Sequence, residues 1–221
     1  MNSENPSSPN FTLLEESDTW LVVNKPPGLA TIPERLTPTN PCLWKLCERQ
    51  VGPLWVVHRL DKETSGVVIF AKSAGIHRQL CLAFEQRATR KTYWAWVHGT
   101  LTGQGLCEAP LREFGSGRVA PDPKGKASQT AWRSLRTEQN YTLVEVQPHT
   151  GRRHQIRAHL TALGFPIVGD PLYGPAELRQ GWTRMYLHAL ELEIFPEAGG
   201  AWGPWHADPE TSFFPTPLKP L

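Results

Sequence analysis

The chain has 221 residues, of which 39% are hydrophobic and 20% are charged, and its formal net charge is +2. This composition is that of a folded protein with a sizeable core, and it excludes a largely disordered chain. The charge is too weakly basic to indicate a nucleic-acid partner, so such a partner must be argued from the positions of the cations. The polar N-terminus lacks the apolar core of a signal peptide, and no apolar run approaches the roughly 20 residues that span a bilayer. We therefore expect a cytoplasmic protein with no membrane partner.

The N-terminal part of the sequence predicts short elements separated by proline and glycine turns. Residues 1–12 predict a flexible tail, and residues 20–25 predict a first strand. The Pro-Pro-Gly that follows forces a turn, and a short helix is expected over residues 41–50. Apolar runs at residues 54–57 and 67–71 predict two further strands on either side of a polar loop.

The middle of the sequence predicts a helix followed by a strand rich in aromatic residues. A serine N-cap precedes residues 74–87, where apolar residues recur at helical spacing. Residues 91–99 alternate with a period of two, which predicts a strand with Tyr93 on one face and Trp94 and Trp96 on the other.

The C-terminal part predicts more sheet and one further helix. Residues 103–128 carry several glycines and are expected to form hairpins, and strands are predicted over residues 129–136 and 141–147. A helix is predicted over residues 153–163, with a glycine at its C-terminal stop. A final long strand is predicted over residues 185–195, and beyond it the recurring prolines predict only short irregular pieces.

These elements together predict the α+β fold class. We expect one domain over residues 13–221, built on a mostly antiparallel, mixed central sheet with a few packed helices. No internal repeat and no linker divides it. The four cysteines form no CxxC pair, so buried thiols in a reducing compartment are favoured over disulfides. Zinc-ligand spacing is absent from the sequence, and we expect no metal site.

Residues 58–66 (HRLDKETSG) form a polar loop between two strand-like runs, where site residues concentrate. The Thr-Ser-Gly at its end supplies turn chemistry. Asp61 is therefore a carboxylate at a fixed loop, two residues from Arg59. Local composition alone favours a turn aspartate that accepts hydrogen bonds from backbone amides, and a positioned catalytic acid is the alternative.

Residues 148–160 hold three arginines and three histidines where a helix is expected to begin. A helix N-terminus is a natural anion site, yet cations there oppose the helix dipole. We therefore expect these arginines to bind either an external anion or a buried carboxylate. Arg153 and Arg157 share a face, and the apolar face beside them brings Arg157 near the core boundary. A solvated basic helix is the alternative, and the histidine spacing does not favour a metal site.

Tyr93 has two interpretations. An isolated strand tyrosine is usually a core residue with a satisfied hydroxyl, whereas beside an aspartate and an arginine its ring could stack on a nucleobase. No nucleophile elbow, P-loop or dinucleotide fingerprint is present. Asp61 and Glu63 are too close in sequence to favour a glycosidase carboxylate pair.

Taken together, these stretches resemble the RluA-type pseudouridine synthases. The motifs occur in the order of that family and span roughly residues 20–195. They are the NKPxG loop (24–29), the HRLDxxTSG signature (58–66), the KxYxAxVxG strand (91–99), the TGRxHQIRxHL helix (150–160), and the stretches 166–174 and 187–189.

The resemblance implies a pseudouridine synthase fold and an isomerase that converts specific uridines of structured transfer or ribosomal RNA to pseudouridine without a cofactor or metal. It implies that Asp61 is the catalytic aspartate, Tyr93 the active-site tyrosine and Arg157 the cation paired with Asp61. Leu187 would pack near the target base, which must be flipped out of the folded RNA. Tyr93 would stack on the uracil where a proton must leave carbon 5. Arg59 is suited to hold a phosphate or to fill the space that the base vacates.

Five further cations are expected to contact phosphates of the RNA: Arg87, Arg90, Lys91, Arg152 and Arg153. Many relatives carry a separate N-terminal RNA-binding domain, which is not expected here. Substrate selection is therefore expected from the catalytic domain and from residues 103–128. We expect a monomer. Core packing is favoured for the two tryptophans of residues 91–99 over stacking on RNA.

Two rival functions remain at this point. One is a non-catalytic RNA-binding module that keeps the fold without the reaction, and the other is a DNA-directed, base-flipping glycosylase. The order of chemical steps at Asp61 also stays open, because attack on the uracil ring, attack at the anomeric carbon and a glycal route are all compatible with the sequence.

Overall fold

The computed structural model describes residues 11–115, 117–197 and 199–214, which form twelve strands and three α-helices. The helices are α1 (Leu43–Val51), α2 (Ala74–Glu85) and α3 (Gln155–Ala162). The strands are β1 (Thr12–Glu16), β2 (Trp20–Lys25), β3 (Trp55–Val56), β4 (Ser65–Ala71), β5 (Thr89–His98), β6 (Gln104–Cys107), β7 (Leu111–Glu113), β8 (Val119–Pro121), β9 (Thr130–Glu138), β10 (Tyr141–Pro148), β11 (Leu187–Ile194) and β12 (Trp202–His206).

One mixed sheet organises the molecule, in the strand order β1-β2-β4-β11-β5-β10-β9-β6. Every pair of its described strands is antiparallel except β4 with β11, which run parallel through Ser65–His188 and Gly66–Ala189. β3 pairs with β4, β12 pairs with β11, and β7 and β8 form a separate hairpin. The predicted α+β class with a mostly antiparallel sheet is confirmed.

Strand β4 is buried on both faces, which explains its near-continuous apolar sequence. In β4, Val68 and Phe70 pack in the cluster that includes α1, whereas Val67 and Ile69 pack in the cluster that includes α2. All seven residues of β4 are buried. Because strands covered on both sides keep an apolar residue at every position, the loop that precedes β4 is anchored at the centre of the molecule.

The faces of β5 divide as the sequence predicts. Ala95 and Val97 pack in the cluster that includes α3, and Trp96 packs on the opposite face. Trp96 is only 1% exposed, and Trp94 lies half-buried against the same cluster. Core packing is therefore the role of Trp96, and this ring has no free face for RNA.

Two terminal predictions need correction. Residues 1–10 of the predicted tail lie outside the described residues, but Phe11 is half-buried and Thr12 begins β1, which pairs with the edge of β2. The prediction of only irregular pieces after residue 195 is also wrong. Trp202–His206 forms β12, a strand that the Gly-Pro in its sequence disguises, because β11 offers it a free edge beyond its contact with β4.

Element boundaries differ by a few residues where the backbone changes direction. α3 begins at Gln155 rather than at residue 153 because His154 has a φ of 52°, in the left-handed region, which no right-handed helix continues. α2 ends at Glu85 because Arg87 has a φ of 60°. Ser73 caps α2 as expected, since its hydroxyl accepts a hydrogen bond from the backbone amide of Ile76.

The parallel contact between β4 and β11 predicts that Gly66 tolerates no side chain. Its φ is +117°, and a Cβ built there would lie 2.1 Å from the carbonyl oxygen of Ala189. Gly66→Ala should lower the free energy of unfolding by about 3 kcal/mol or more, through backbone strain and overpacking. Urea unfolding measures this. Gly75→Ala is the control, because its Cβ meets open space in a helix and should stabilise by up to about 1 kcal/mol. Equal stability of Gly66→Ala and wild type would contradict the packing described.

Candidate active site

A cavity of about 320 Å³ lies where the loop before β4, strand β5, the start of β11 and helix α3 meet. Asp61, Tyr93, Arg157 and Leu187 all line it. The structure thus brings together four predicted site residues that are far apart in the sequence. A cavity of this size is at the lower end of the range for small-molecule sites.

Hydrogen bonds from Lys25 hold the loop that carries Asp61 in place. The Lys25 ammonium is fully buried and donates to the carbonyl oxygens of Pro26 (2.9 Å), Leu29 (2.7 Å) and Lys62 (3.0 Å). Burial lowers the pKa of Lys25 to about 7, although the charges of Glu63 and Asp61 oppose the shift. Because one of the three bonds reaches the residue after Asp61, Lys25 ties the NKPxG loop to the loop that carries Asp61.

Further contacts close the same loop. The hydroxyl of Thr31 donates to the carbonyl oxygen of Leu60 at 2.9 Å and accepts from the amide of Leu60 at 3.2 Å. The amide of Thr64 donates to the carbonyl oxygen of Asp61 at 3.1 Å, which makes the turn that the Thr-Ser-Gly sequence predicts. The expected turn chemistry therefore serves to fix the Asp61 backbone.

Arg157 is shared between two carboxylates. Its Nη1 lies 3.0 Å from Asp61 Oδ2, while its Nε and Nη2 donate to Asp170 Oδ2 (2.7 Å) and Oδ1 (2.9 Å). The Arg157 side chain is 5% exposed and that of Asp170 is fully buried. Burial alone would lower the pKa of Arg157, but Asp170 and then Asp61 raise it above its ordinary value. Arg157 is therefore a permanent cation fixed in position by a bidentate pair.

Asp170 is the site residue that the sequence reasoning missed. It occurs in residues 166–174, which the motif series includes, but a turn-rich loop gave no reason to assign it a partner. In the structure Asp170 Oδ1 also accepts from the amides of Leu172 (2.9 Å) and Tyr173 (3.0 Å). The sequence signal that could have led to Asp170 is Arg157, because an arginine near the core needs more than one carboxylate oxygen to satisfy its donors.

Tyr93 and Leu187 form the apolar part of the cavity beside Asp61. Leu187 is 3% exposed at the start of β11 and packs in the same cluster as Tyr93. Burial, followed by the charge of Asp61, raises the pKa of the Tyr93 hydroxyl far above its ordinary value. The Tyr93 phenol therefore keeps its proton and can stack or donate a hydrogen bond.

His58 is a neutral part of the cavity wall. Its ring stacks on Phe84 with centroids 4.8 Å apart, and its Nε2 accepts a hydrogen bond from the amide of Ile69 at 3.2 Å. Burial, with a smaller contribution from Lys91, lowers the pKa of His58 to about 3. Lys91 also lines the cavity, and burial lowers its pKa to about 8.

Four of the predicted phosphate-contacting cations divide between two places. Arg59, Lys91 and Arg152 line the cavity around Asp61. Arg153 forms an ion pair with Glu113 and lines a neighbouring groove of about 470 Å³, and it also lines a wider cleft of about 1120 Å³ that includes Asp61 and Arg59. We call the groove of about 470 Å³ the hairpin groove, because strands β7 and β8 form one of its walls. Arg152 lines both the cavity and the hairpin groove.

Two kinds of feature are absent from the described residues. None of their helices is long and apolar enough to cross a membrane. No group of three or more His, Cys, Asp or Glu side chains among them is placed to hold a metal ion. The cysteines are free thiols, and three of the four (Cys42, Cys47 and Cys107) are buried as predicted.

Known proteins match both the sequence and the structure. The family model described as RNA pseudouridylate synthase matches residues 19–162. The dual-specificity RNA pseudouridine synthase RluA of Vibrio vulnificus is 35% identical over 202 residues, covering 86% of this chain and 80% of that protein. The protein of the same name from Escherichia coli K12 is 36% identical over 202 residues, covering 88% and 91%.

Solved structures agree with these matches. The human RNA pseudouridylate synthase domain containing 1 superimposes with a TM-score of 0.78 at 28% identity, over 93% of this chain and 86% of that one. The human RNA pseudouridylate synthase domain containing 4 superimposes with a TM-score of 0.74 at 25% identity, over 91% of this chain and 90% of that one.

The low pKa of His58 predicts a specific dependence of stability on pH. The unfolded chain binds a proton at His58 below about pH 6.5, whereas the folded chain excludes it down to about pH 3. Stability from this group is therefore present above pH 6.5 and is lost as the pH falls. His58→Gln should reduce the slope of unfolding free energy against pH by about 1.4 kcal/mol per unit between pH 6 and 4. Urea titrations measure this, with exposed His149→Gln as control, and an unchanged slope in His58→Gln would refute it.

Proposed function

Since this chain belongs to the RNA pseudouridylate synthase family and isomerises uridine in RNA to pseudouridine, we propose that Asp61 is its catalytic carboxylate. The observation that carries this proposal is the placement of Asp61. Its Oδ2 is paired with the buried cation Arg157, at the wall of a cavity that also contains Tyr93 and Leu187.

The reaction needs one carboxylate and no net gain or loss of atoms. The bond between N1 of uracil and the sugar breaks, the base turns, and carbon 5 bonds to the sugar. Carbon 5 then loses its proton, and N1 gains one. A carboxylate can either bond to an electrophilic carbon or stabilise the positive charge that develops at the sugar. Arg157 places a buried positive charge 3.0 Å from Asp61 Oδ2, which compensates the negative charge of the carboxylate in a partly buried site.

Tyr93 and Leu187 hold the uracil in this proposal. An aromatic face and an aliphatic side chain form a slot that suits a flat base. Because the raised pKa of Tyr93 keeps its phenol protonated, we assign it stacking and hydrogen-bond donation, and not removal of the proton from carbon 5. The base must leave its RNA stack to enter this slot, which costs a few kcal/mol.

Arg59 is suited to contact the RNA when the base leaves its stack. It is exposed at the rim of the cavity, two residues from Asp61, and no hydrogen bond or ion pair of its side chain to another described residue is found. A free guanidinium there can bind a phosphate of the flipped nucleotide or fill the space that the base leaves. Lys91 and Arg152 then supply further positive charge at the cavity wall.

The hairpin groove provides a path for more of the RNA backbone. Its walls carry five cations: Arg112, Lys124, Lys126, Arg152 and Arg153. Glu113 pairs with Arg153 and Asp122 pairs with Arg112, so the excess charge lies on the other three. Because Gly151 and Arg152 also line the catalytic cavity, a strand held in the groove is continuous with the reacting nucleotide.

The target is proposed to be a uridine of structured transfer or ribosomal RNA. The two bacterial relatives are described as dual-specificity enzymes, which favours a folded loop that more than one RNA can present. We place the protein in the cytoplasm, where such RNA is found. We also propose that it acts as a monomer, because one chain supplies every residue assigned to the site.

The direct test is tritium release from RNA labelled at carbon 5 of uridine. RNA is taken from cells that lack the gene, so that the target remains unmodified. Wild type should release tritium in proportion to pseudouridine formed, and Asp61→Asn should reduce release to background while binding RNA normally. An exposed carboxylate far from the cavity, Glu138→Gln, is the matched control. Full release by Asp61→Asn would eliminate the assigned role, and release of free uracil would indicate a glycosylase.

The hairpin groove gives a second prediction. Phosphate contacts release counterions, so each lost contact lowers the slope of log affinity against log salt by about 1. The double variant Lys124→Gln/Lys126→Gln should therefore lower that slope by about 2 for transfer RNA in filter-binding assays. The double variant Lys45→Gln/Arg49→Gln, on the exposed side of α1, should leave the slope unchanged. Equal slopes for the two double variants would mean that the groove does not hold the RNA backbone.

A further inference from the structure

His154 combines an unusual backbone with a buried, polar side chain beside the catalytic carboxylate. It lies directly before α3 with a φ of 52°, and its side chain is only 10% exposed. Residues other than glycine adopt this left-handed conformation uncommonly, and such positions cluster at functional sites. The imidazole lines the cavity around Asp61.

The hydroxyl of Tyr173 lies within hydrogen-bonding distance of one ring nitrogen of His154. Tyr173 is 3% exposed, and its oxygen accepts a hydrogen bond from the amide of Val119 at 2.9 Å. The same oxygen lies 3.1 Å from His154 Nδ1. Burial raises the pKa of the Tyr173 hydroxyl, which therefore keeps its proton. Donation of this proton to His154 Nδ1 would put the hydrogen of a neutral His154 on Nε2.

That Nε2 faces the catalytic carboxylate. It lies 3.7 Å from Asp61 Oδ2, the oxygen that Arg157 contacts at 3.0 Å. No hydrogen bond or ion pair of the described residues reaches Asp61 Oδ1. Hydrogen bonds in ligand-free active sites are often long and tighten when substrate binds.

We propose that His154 is a positioning residue of this enzyme: held as the Nε2–H tautomer by Tyr173, it acts with Arg157 on Oδ2 of Asp61 and leaves Oδ1 to face the sugar of the target uridine. The proposal rests on the catalytic role assigned to Asp61. The loop after α3 thereby supports both donors, since Asp170 holds Arg157 and Tyr173 holds His154.

A neutral donor suits this role better than a charged one. Burial lowers the pKa of His154, and Arg157 and Arg153 lower it further, against the opposing charges of Asp61 and Asp170. Charge-assisted hydrogen bonds are about twice as strong as neutral ones. A second cation on Oδ2 would withdraw negative charge that Asp61 needs at the sugar. A neutral imidazole fixes the orientation of the carboxylate and leaves that charge in place.

The first test is the tautomer itself, measured without RNA. Nitrogen-15 NMR of the histidine rings at neutral pH distinguishes a protonated from an unprotonated ring nitrogen. The proposal requires a protonated Nε2 and a bare Nδ1 in His154 of the wild type, and a mixture of tautomers in Tyr173→Phe. A protonated Nδ1 in the wild type, or an imidazolium, would overturn it. Because no substrate is present, this result is independent of whether Asp61 is catalytic.

The second test separates positioning from folding and from RNA binding. His154→Asn keeps a residue that tolerates left-handed backbone but is too short to reach Asp61. With tritium-labelled total RNA from cells lacking the gene, it should lower the single-turnover rate by about 10- to 100-fold, the range expected when a reacting group is misplaced. The half-saturating enzyme concentration should not change.

The controls decide what a loss would mean. His154→Gln, whose amide can reach toward Asp61, should recover part of the rate, and the exposed His149→Asn should behave as wild type. Tyr173→Phe should lower the rate without changing RNA affinity. A normal rate in His154→Asn, or a loss confined to RNA affinity, would overturn the proposal. Full activity of Asp61→Asn would instead overturn the proposed function and leave the tautomer result standing.

Discussion

The site depends on one guanidinium placed between two carboxylates. Arg157 forms a bidentate pair with fully buried Asp170 and donates from Nη1 to Asp61, which is partly exposed to the cavity. Burying the guanidinium of Arg157 without the paired carboxylate of Asp170 would cost folding free energy. In the proposed mechanism, the contact with Asp61 is what connects Arg157 to the reaction. The three residues lie on three different segments, so the pairing also fixes how the loop before β4, helix α3 and the loop after α3 lie against one another.

The sheet explains why these segments meet. β4 and β11 run parallel for only two residue pairs before β12 takes the rest of the β11 edge, and the Asp61 loop enters β4 at that contact. Lys25 and Thr31 hold the loop from the side of β2. The slot proposed for the uracil is formed where β5 and β11 pair, with Tyr93 opposite Ala189 and Leu187 two residues earlier. The loop that carries Asp61 is therefore positioned by a rigid centre, as expected for a site that must hold its geometry.

The sequence predicted most of this because its signals were local or carried by motifs. The period of two placed Tyr93 and Trp96 on opposite faces of β5, and the family resemblance, which is confirmed, linked Asp61 to Arg157 across 96 residues. Composition alone had favoured a turn aspartate. The features that the sequence did not predict depend on tertiary contacts. Asp170 has the sequence context of a turn residue but pairs with Arg157, and Gly-Pro argued against a strand at β12 although β12 pairs with β11. Arg153 forms an ion pair with Glu113, which no sequence pattern indicated. Neither burial nor a partner on another segment can be read from a residue and its neighbours.

The measurement that tests this account most directly is the single-turnover rate of Asp170→Asn. The substitution keeps the shape of the side chain and an oxygen for the amides of Leu172 and Tyr173, but it removes the charge that holds Arg157. The account predicts a folded variant with normal RNA affinity and a rate at least about tenfold lower, because Asp61 loses a fixed cation. A folded Asp170→Asn enzyme that forms pseudouridine at the wild-type rate would contradict it.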